Sequence, residues 1–292
     1  MFERDAVCVL DYLGTLRFSG ADVEKFLQGQ LSNDVSTLTP GSVLRAGLHN
    51  PQGRTLALLW LIATEGHEVL ALLPRELLPA IAALLRRYVL RAKVVINDDS
   101  SDLRVLGLRS PEAGGALPGQ RVAYAARTDE RALLLLPATS VLPSAPLMSR
   151  SAWRALDLAA GLPQVYGATT GQFVAQMLNL DCIEAISFSK GCYTGQEVIA
   201  RAHYRGRIKR RMQRFASQTP LRLTPGDSGK LADGRSFRAV ETLELADGGC
   251  EFLAVAALPG SSAEAEAGTP AAGPAADGIA CRELPLPYAL PD

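Results

Sequence analysis

Cysteine and histidine are scarce in this sequence. The five cysteines, Cys8, Cys182, Cys192, Cys250 and Cys281, are odd in number and show no C-x-x-C spacing, so no disulfide framework is expected. The three histidines, His49, His67 and His203, fall outside zinc spacings. No metal site is therefore expected, neither structural zinc nor a self-contained four-cysteine cluster. Net charge is missing too: 30 Lys and Arg balance 30 Asp and Glu. Without a global field, any polyanion would need a local patch. The longest apolar run, "LALLWLIA" from Leu56 to Ala63, is far short of the ~20 residues of a membrane helix. The opening "MFERDAVCVLDYLG" carries charges where an export signal needs an apolar core. A cytoplasmic protein with no membrane partner is the expectation.

What remains is the composition of an ordinary folded protein, 48% hydrophobic and 21% charged over 292 residues. That is more chain than one core usually serves, so two or three domains are expected. Ser19, with Asp22 three residues on, predicts a helix start. Val23, Phe26, Leu27 and Leu31 then share a face. "VLRAGLHNPQGRTLALLWLI" predicts a hairpin turning at Asn50-Pro51-Gln52-Gly53, with Pro second and Gly fourth as a type I turn prefers. A strand from Glu68 to Leu73, a helix through Leu77, Leu78, Ile81, Leu84, Leu85 and Tyr88, and a strand at "KVVIN" follow. Three short strands are expected between Leu103 and Pro137, then a short helix around Trp153 and Leu156 that Gly161 and Pro163 end. Beyond Arg205 short apolar runs between Gly/Asp turns predict a small antiparallel barrel or sandwich. Within it, "PGSSAEAEAGTPAAGPAADG" reads as a mobile surface loop.

The stretch "SFSKGCYTGQEVIAR", Ser187 to Arg201, concentrates the chemistry. A thiol with pKa ~8.5 needs nearby cations or helix-terminal amides to ionise near neutral pH, and Lys190 and Arg201 are the local candidates. Gly191 and Gly195 allow a tight turn that presents Cys192 and Tyr193 before a short helix. The alternative is that Cys192 is a small buried hydrophobe. Other fragments lead nowhere: "SFSK" has no accompanying S-D-N or K-T-G. "GDSGK" lacks the glycine and the following Ser/Thr of a phosphate loop. The run "RAHYRGRIKRRMQR" holds seven Lys and Arg between Arg201 and Arg214, but only Tyr204 to stack a base.

"GQFVAQMLNLDCIEAISFSKGCYTGQEVIARAHYRGRIKR", Gly171 to Arg210, closely resembles the YgfZ family of folate-binding proteins, whose signature is K-G-C-Y-x-G-Q-E. Weaker similarity extends to "FLQGQLSNDV", "NPQGRTLALLWLI" and "AGLPQVYG". The resemblance implies kinship with the glycine-cleavage T-protein: an α+β chain in a three-domain ring, with a folate channel and a C-terminal antiparallel β-barrel. It divides the chain into a discontinuous first domain, 1–43 plus 98–204, a second at 44–97 and the barrel at 205–292. It implies tetrahydrofolate or a derivative as cofactor, and a role in maturing or repairing iron-sulfur proteins, with iron-sulfur clients or assembly factors as partners and tRNA thiomethylation downstream.

Carried over residue by residue, the motif gives Cys192 as functional thiol beside Lys190 and Tyr193, with Gly191, Gly195, Gln196 and Glu197 at the site. Asn33 and Asp34 match the family's N-terminal "ND". Asp34 either meets the pterin or closes an Asx-turn, and Glu197 either meets it or pairs with Arg201 at i,i+4. The Arg201 to Arg214 run would meet a folate glutamate tail or tRNA. T-proteins carry acids where this chain has Ala57, Leu58 and Ala159, so general acid-base catalysis of aminomethyl transfer has no evident agent. Binding without turnover is expected, with a folate-dependent one-carbon transferase as the rival reading.

Overall fold

Among the described residues, fourteen short strands assemble three antiparallel sheets, and several strands sort their two faces between neighbouring cores. The structure is a computed structural model that describes residues 6–64, 66, 68–110, 120–123 (backbone only), 130–206, 208–217, 219–245, 248–259 and 278–291. Apart from its two end residues, the low-complexity stretch after Leu258 lies outside the described residues, as does "PEAGGALPG". In chain order the strands are β1 (Val7–Val9), β2 (Leu13–Ser19), β3 (Val43–His49), β4 (Thr55–Ala63), β5 (Glu68–Pro74), β6 (Val95–Asp98) and β7 (Leu103–Leu108). They continue with β8 (Gln120–Ala123), β9 (Ala132–Pro137), β10 (Arg210–Ser217), β11 (Ser228–Lys230), β12 (Ser236–Glu244), β13 (Cys250–Ala257) and β14 (Cys281–Leu284). The α-helices are α1 (Val23–Gln30), α2 (Leu78–Val89), α3 (Arg150–Ala159) and α4 (Gln196–Arg205).

One sheet runs β3-β4-β5-β2-β6. The β3–β4 hairpin turns at Asn50–Gly53 as the sequence predicts: Gly53 N–H donates to Asn50 O (2.9 Å), and Gly53 takes the left-handed conformation at φ 70°. The division expected at 43/44 does not follow this sheet. Strand β2 lies between β5 and β6, pairing Leu13 with Pro74 and Leu16 with Asp98, so the sheet draws on residues upstream of 43. The reason is non-local pairing: β2 finds its partners some fifty to eighty residues away, which periodicity within 44–97 cannot reveal. The first helix also starts later than Ser19 suggests. Its N-cap position is Asp22, whose carboxylate accepts from Lys93 N–H (2.7 Å) and so ties α1 to the segment before β6.

A second sheet runs β1-β7-β9-β8. Along β7 and β9 it buries both faces: Val105, Leu133 and Leu135 enter the main core, while Leu106, Leu108, Leu134 and Leu136 form a satellite core on the other side. That explains the unbroken apolar run of β9. The third sheet runs β11-β12-β13-β10-β14. Its two edges meet, because Ile279 N–H donates to Lys230 O (2.8 Å) and Ala232 N–H to Ile279 O (3.0 Å), with a Leu231–Ile279 bridge. The sheet therefore closes on itself as the expected barrel. Its interior holds Phe215, Phe237, Phe252, Ala254 and Ala256, while Met212, Leu253 and Val255 face the main core.

A β-bulge in β12 decides which way one carboxylate points. Ala239 pairs with Ala254 and Glu241 with Leu253, leaving Val240 as an extra residue. The extra residue reverses the side-chain parity. Without it Glu241 would follow Phe237 and Ala239 into the apolar barrel interior; with it, Glu241 shares the outward side of Leu253.

Candidate functional site

The cysteine motif lies on a loop stitched to the neighbouring sheet from both sides. Ser187 N–H donates to Ser32 O (2.9 Å), Ser32 Oγ donates to Ala185 O (2.7 Å), and Gly47 N–H donates to Ser32 Oγ (2.8 Å). Asn33 is buried, and its amide donates to Arg45 O and Glu184 O, each at 2.7 Å, while its Oδ1 accepts from Asp34 N–H. Both Ser32 and Asn33 join the 184–187 segment to β3.

Lys190 is buried, and its ammonium donates to Gln28 O (2.7 Å), Leu31 O (2.6 Å) and Asn33 O (3.0 Å). The first two carbonyls end α1, a helix with no basic residue in its own last turn, so Lys190 supplies the cation its C-terminus favours. Desolvation holds its pKa down at about 8, with the nearby Asp34 charge pulling the other way. All three ammonium protons are committed to carbonyls, so none is left to donate to the Cys192 sulfur.

Two residues past Cys192's neighbouring glycine, the chain is anchored again. Tyr193 is buried, 6.3 Å ring to ring from His49 and 5.2 Å from the Lys190 ammonium, and desolvation pushes its pKa up to about 12. Gly195, at φ 82°, is the N-cap of α4. A Cβ there would come within 2.5 Å of Asn50 O, so the motif glycine permits close packing on the β3–β4 turn. Between these anchors Gly191 and Cys192 are exposed. Of the other cysteines, Cys8 and Cys250 are buried and Cys182 and Cys281 half-buried. Burial pushes the Cys8 and Cys281 thiols up to about 11 and raises that of Cys250.

The remaining sequence-predicted residues are placed with equal clarity. Asp34 caps the 3-10 turn Val35–Thr37, accepting from Ser36 N–H (3.2 Å), Ser36 Oγ (2.5 Å) and Gln28 Nε2 (2.9 Å). The Ser36 and Gln28 hydrogen bonds hold its carboxylate below the usual range. Gln196 opens α4, and Glu197 and Arg201 are exposed and pair with each other at 3.0 Å. The basic run divides. Arg211 is buried against Asp181 (2.9 Å) and Arg214 pairs with Glu251 (2.7 Å), while Arg207 lies outside the described residues. Against this, Phe188 stacks on His203 at 3.7 Å and meets the edge of Tyr204, an aromatic group invisible in linear spacing.

A pocket forms elsewhere, between the first sheet, the third sheet and α3. It is lined by Tyr12 ahead of β2, Trp60 on β4, Arg154 and Asp157 on α3, Leu162 to Gln164 and Tyr166 in the following loop, and Glu241 on β12. Its enclosed space is small, room for about one water molecule. Arg154 pairs with the buried Glu241, whose other oxygen accepts from Tyr166 OH (2.6 Å). Asp157 pairs with Arg131 (2.9 Å). Desolvation pushes the Tyr166 phenol up to about 12, so it remains a donor. None of the ten residues expected at the site lines this pocket. Among its lining residues only the "AGLPQVYG" stretch and Trp60 carry a signal in the sequence, both as segments of resemblance.

The chain is 34% identical to an uncharacterised protein of Haemophilus influenzae over 232 residues, 79% of this chain and 80% of that one. It is 32% identical to the tRNA-modifying protein YgfZ of Klebsiella pneumoniae over 258 residues, 80% of this chain and 78% of that one. The chain belongs to the YgfZ family. No family model matches this YgfZ-family chain. Among solved structures it superposes on aminomethyltransferase T of the glycine cleavage system from Bartonella henselae with a TM-score of 0.68 and 14% identity, covering 86% of this chain and 78% of that one. That likeness gives the YgfZ-family protein an aminomethyltransferase-like fold. No helix of its described residues is long and apolar enough to cross a membrane.

Proposed function

We propose that this protein binds tetrahydrofolate or a derivative and, through Cys192, supports the maturation or repair of iron-sulfur enzymes, tRNA-thiomethylating ones among them. The carrying observation is the mounting of the thiol: Cys192 is exposed between two buried anchors, Lys190 and Tyr193, on a loop pinned to the sheet. A thiol meant only to fill space would be turned inward, as Cys8 and Cys250 are. Rigid mounting of an accessible thiol suits presentation to a partner protein. Client iron-sulfur enzymes or their assembly factors are the partners this implies, in the cytoplasm.

The pocket lining mixes aromatic and polar side chains, but a pterin would enter only if these side chains moved apart. Tyr12, Trp60 and Tyr166 supply flat apolar faces, and Glu241, Asp157, Arg154 and Gln164 supply polar edges. Catalysis is a different matter. Ala57 and Leu58 are buried on β4 and Ala159 carries no charge, so the acids of the related transferase have no counterpart at those places. The carboxylates that do line the pocket are ion-paired, Glu241 with Arg154 and Asp157 with Arg131, which disfavours either as a general base. Direct tRNA binding draws little support from a basic run whose Arg201, Arg211 and Arg214 are all paired with carboxylates.

Tetrahydrofolate should raise the melting temperature, since a ligand at a hundred times its Kd stabilises the folded state by about 2.7 kcal/mol. Aminomethyl-dependent turnover should be undetectable in the same preparation. Absence of any folate-dependent shift would remove the folate reading, and measured turnover would establish the transferase instead.

A further inference from the structure

The sharpest conflict between backbone and side chain lies at the end of α2. Ala92 N–H donates to Val89 O at 2.7 Å, closing a turn whose first central residue is Leu90, at φ 44° and ψ −103°. Those angles belong to the type II′ position that glycine normally fills, because a β-carbon is strained there. Leucine therefore costs stability at this place. It recovers nothing by packing either, since the residue is 87% exposed. The other described non-glycine residues with positive φ, Asn179 and Glu184, are polar. A strained apolar residue turned out into water points to something it meets outside the chain.

Its surroundings indicate what that is. Arg86, Arg87, Tyr88, Arg91 and Lys93 are all exposed and lie within four residues of Leu90. No Asp or Glu occurs between Glu76 and Asp98, and among the described residues none of the four cations has an ion-pair partner. Arg86 donates to Ile96 O (2.8 Å), and the Asp22 carboxylate accepts from the backbone N–H of Lys93 (2.7 Å). The helix dipole accounts for Arg86 and Arg87 in the last turn of α2, but not for Arg91 and Lys93 beyond it. A chain of zero net charge thus gathers four positive charges around one apolar tip.

Charge complementarity calls for an anionic partner. A second copy would set cation against cation. Nucleic acid would use the cations and Tyr88 but leave Leu90 in water. A stable protein interface takes about 20–30 residues a side, far more than this tip supplies. An anionic bilayer uses every part: headgroup phosphates and carboxylates meet the cations, Tyr88 suits the interface, and Leu90 reaches the acyl boundary. Such docking needs no helix that crosses the membrane. We propose that the 86–93 tip docks this protein reversibly on an anionic lipid surface, with Leu90 as the inserted residue.

The test is co-sedimentation of the full-length protein with phosphatidylcholine vesicles, with and without about a quarter phosphatidylserine. The wild type should sediment with the anionic vesicles, less so as salt rises, and stay in solution with phosphatidylcholine alone. Arg91→Ala and Lys93→Ala should each lower the partition about fivefold. Leu90→Gly should lower it about tenfold while holding or raising the Tm, because glycine suits the turn; a leucine that served only the fold would lower the Tm when lost. No binding to the anionic vesicles, equal binding to both kinds, or a partition unchanged in Leu90→Gly would overturn the proposal. Single-stranded RNA at the same phosphate concentration is the competing probe. If it binds more tightly than the vesicles and Arg91→Ala weakens that binding, the tip is a nucleic-acid surface and the lipid assignment falls. Neither the folate reading nor the role of Cys192 enters these outcomes.

Discussion

Acidification should destabilise this protein through His49, and the size of the effect follows from where the ring lies. His49 ends β3, is 2% exposed and has no hydrogen-bond partner for either ring nitrogen among the described residues. Desolvation holds its pKa down at about 3, against an ordinary 6.5. Between those values the unfolded chain binds a proton that the folded one refuses. Stability therefore rises with pH across the window and is lost as pH falls below 6.5, by about 1.4 kcal/mol for each unit. At pH 5 the loss is about 2 kcal/mol, a sizeable part of the 5–15 kcal/mol that usually separates folded from unfolded states. His49→Phe keeps a flat ring beside Tyr193 and removes the titration. At pH 7 it should change stability little, because it also removes two unpaired buried nitrogens while adding some bulk. Urea unfolding of both proteins at pH 7 and pH 5 gives the difference of differences, expected near 2 kcal/mol in favour of the variant at pH 5. Asp34, held low by Ser36 and Gln28, loses its contribution at more acidic pH and does so equally in both proteins. Identical pH dependence of the two proteins would refute the reasoning.

Two further outcomes follow from the motif's geometry. Lys190→Met should destabilise the fold by about 2–4 kcal/mol, since it leaves the carbonyls of Gln28, Leu31 and Asn33 without their buried donor, an effect partly offset by relief of the ammonium's desolvation; an unchanged unfolding midpoint would show that water replaces it. Under timed alkylation near pH 7.5, mass spectrometry should find Cys192 labelled before Cys8, Cys250 and Cys281, whose thiols are shielded and pushed upward. Equal labelling would contradict the exposed setting.

The helices and hairpins were legible because their signals are local. Val23, Phe26 and Leu27 recur at helical spacing, and Pro51 with Gly53 marks a turn within four residues. The site was legible only where a contiguous motif carries it. Lys190 was misread as a partner of Cys192, two residues away, because its actual partners end a helix some 160 residues earlier. The pocket was hidden for a related reason: its residues come from five separate segments. Glu241 faces it only because of a bulge at Val240, and a one-residue change of parity leaves no mark in "FRAVETLEL". The join that makes the barrel, at Leu231 and Ile279, is likewise a long-range backbone pairing.

Complementation bears most directly on the role assigned to Cys192. A bacterial strain lacking its own family member, supplied with this protein or with single-cysteine variants, is scored by the activity of its iron-sulfur enzymes. The unaltered protein and the Cys281→Ser variant should restore activity. Cys192→Ser should not, while retaining the wild-type melting temperature and affinity for tetrahydrofolate, because an exposed loop substitution removes little buried area. Full restoration by the Cys192→Ser protein would contradict a functional thiol at this position.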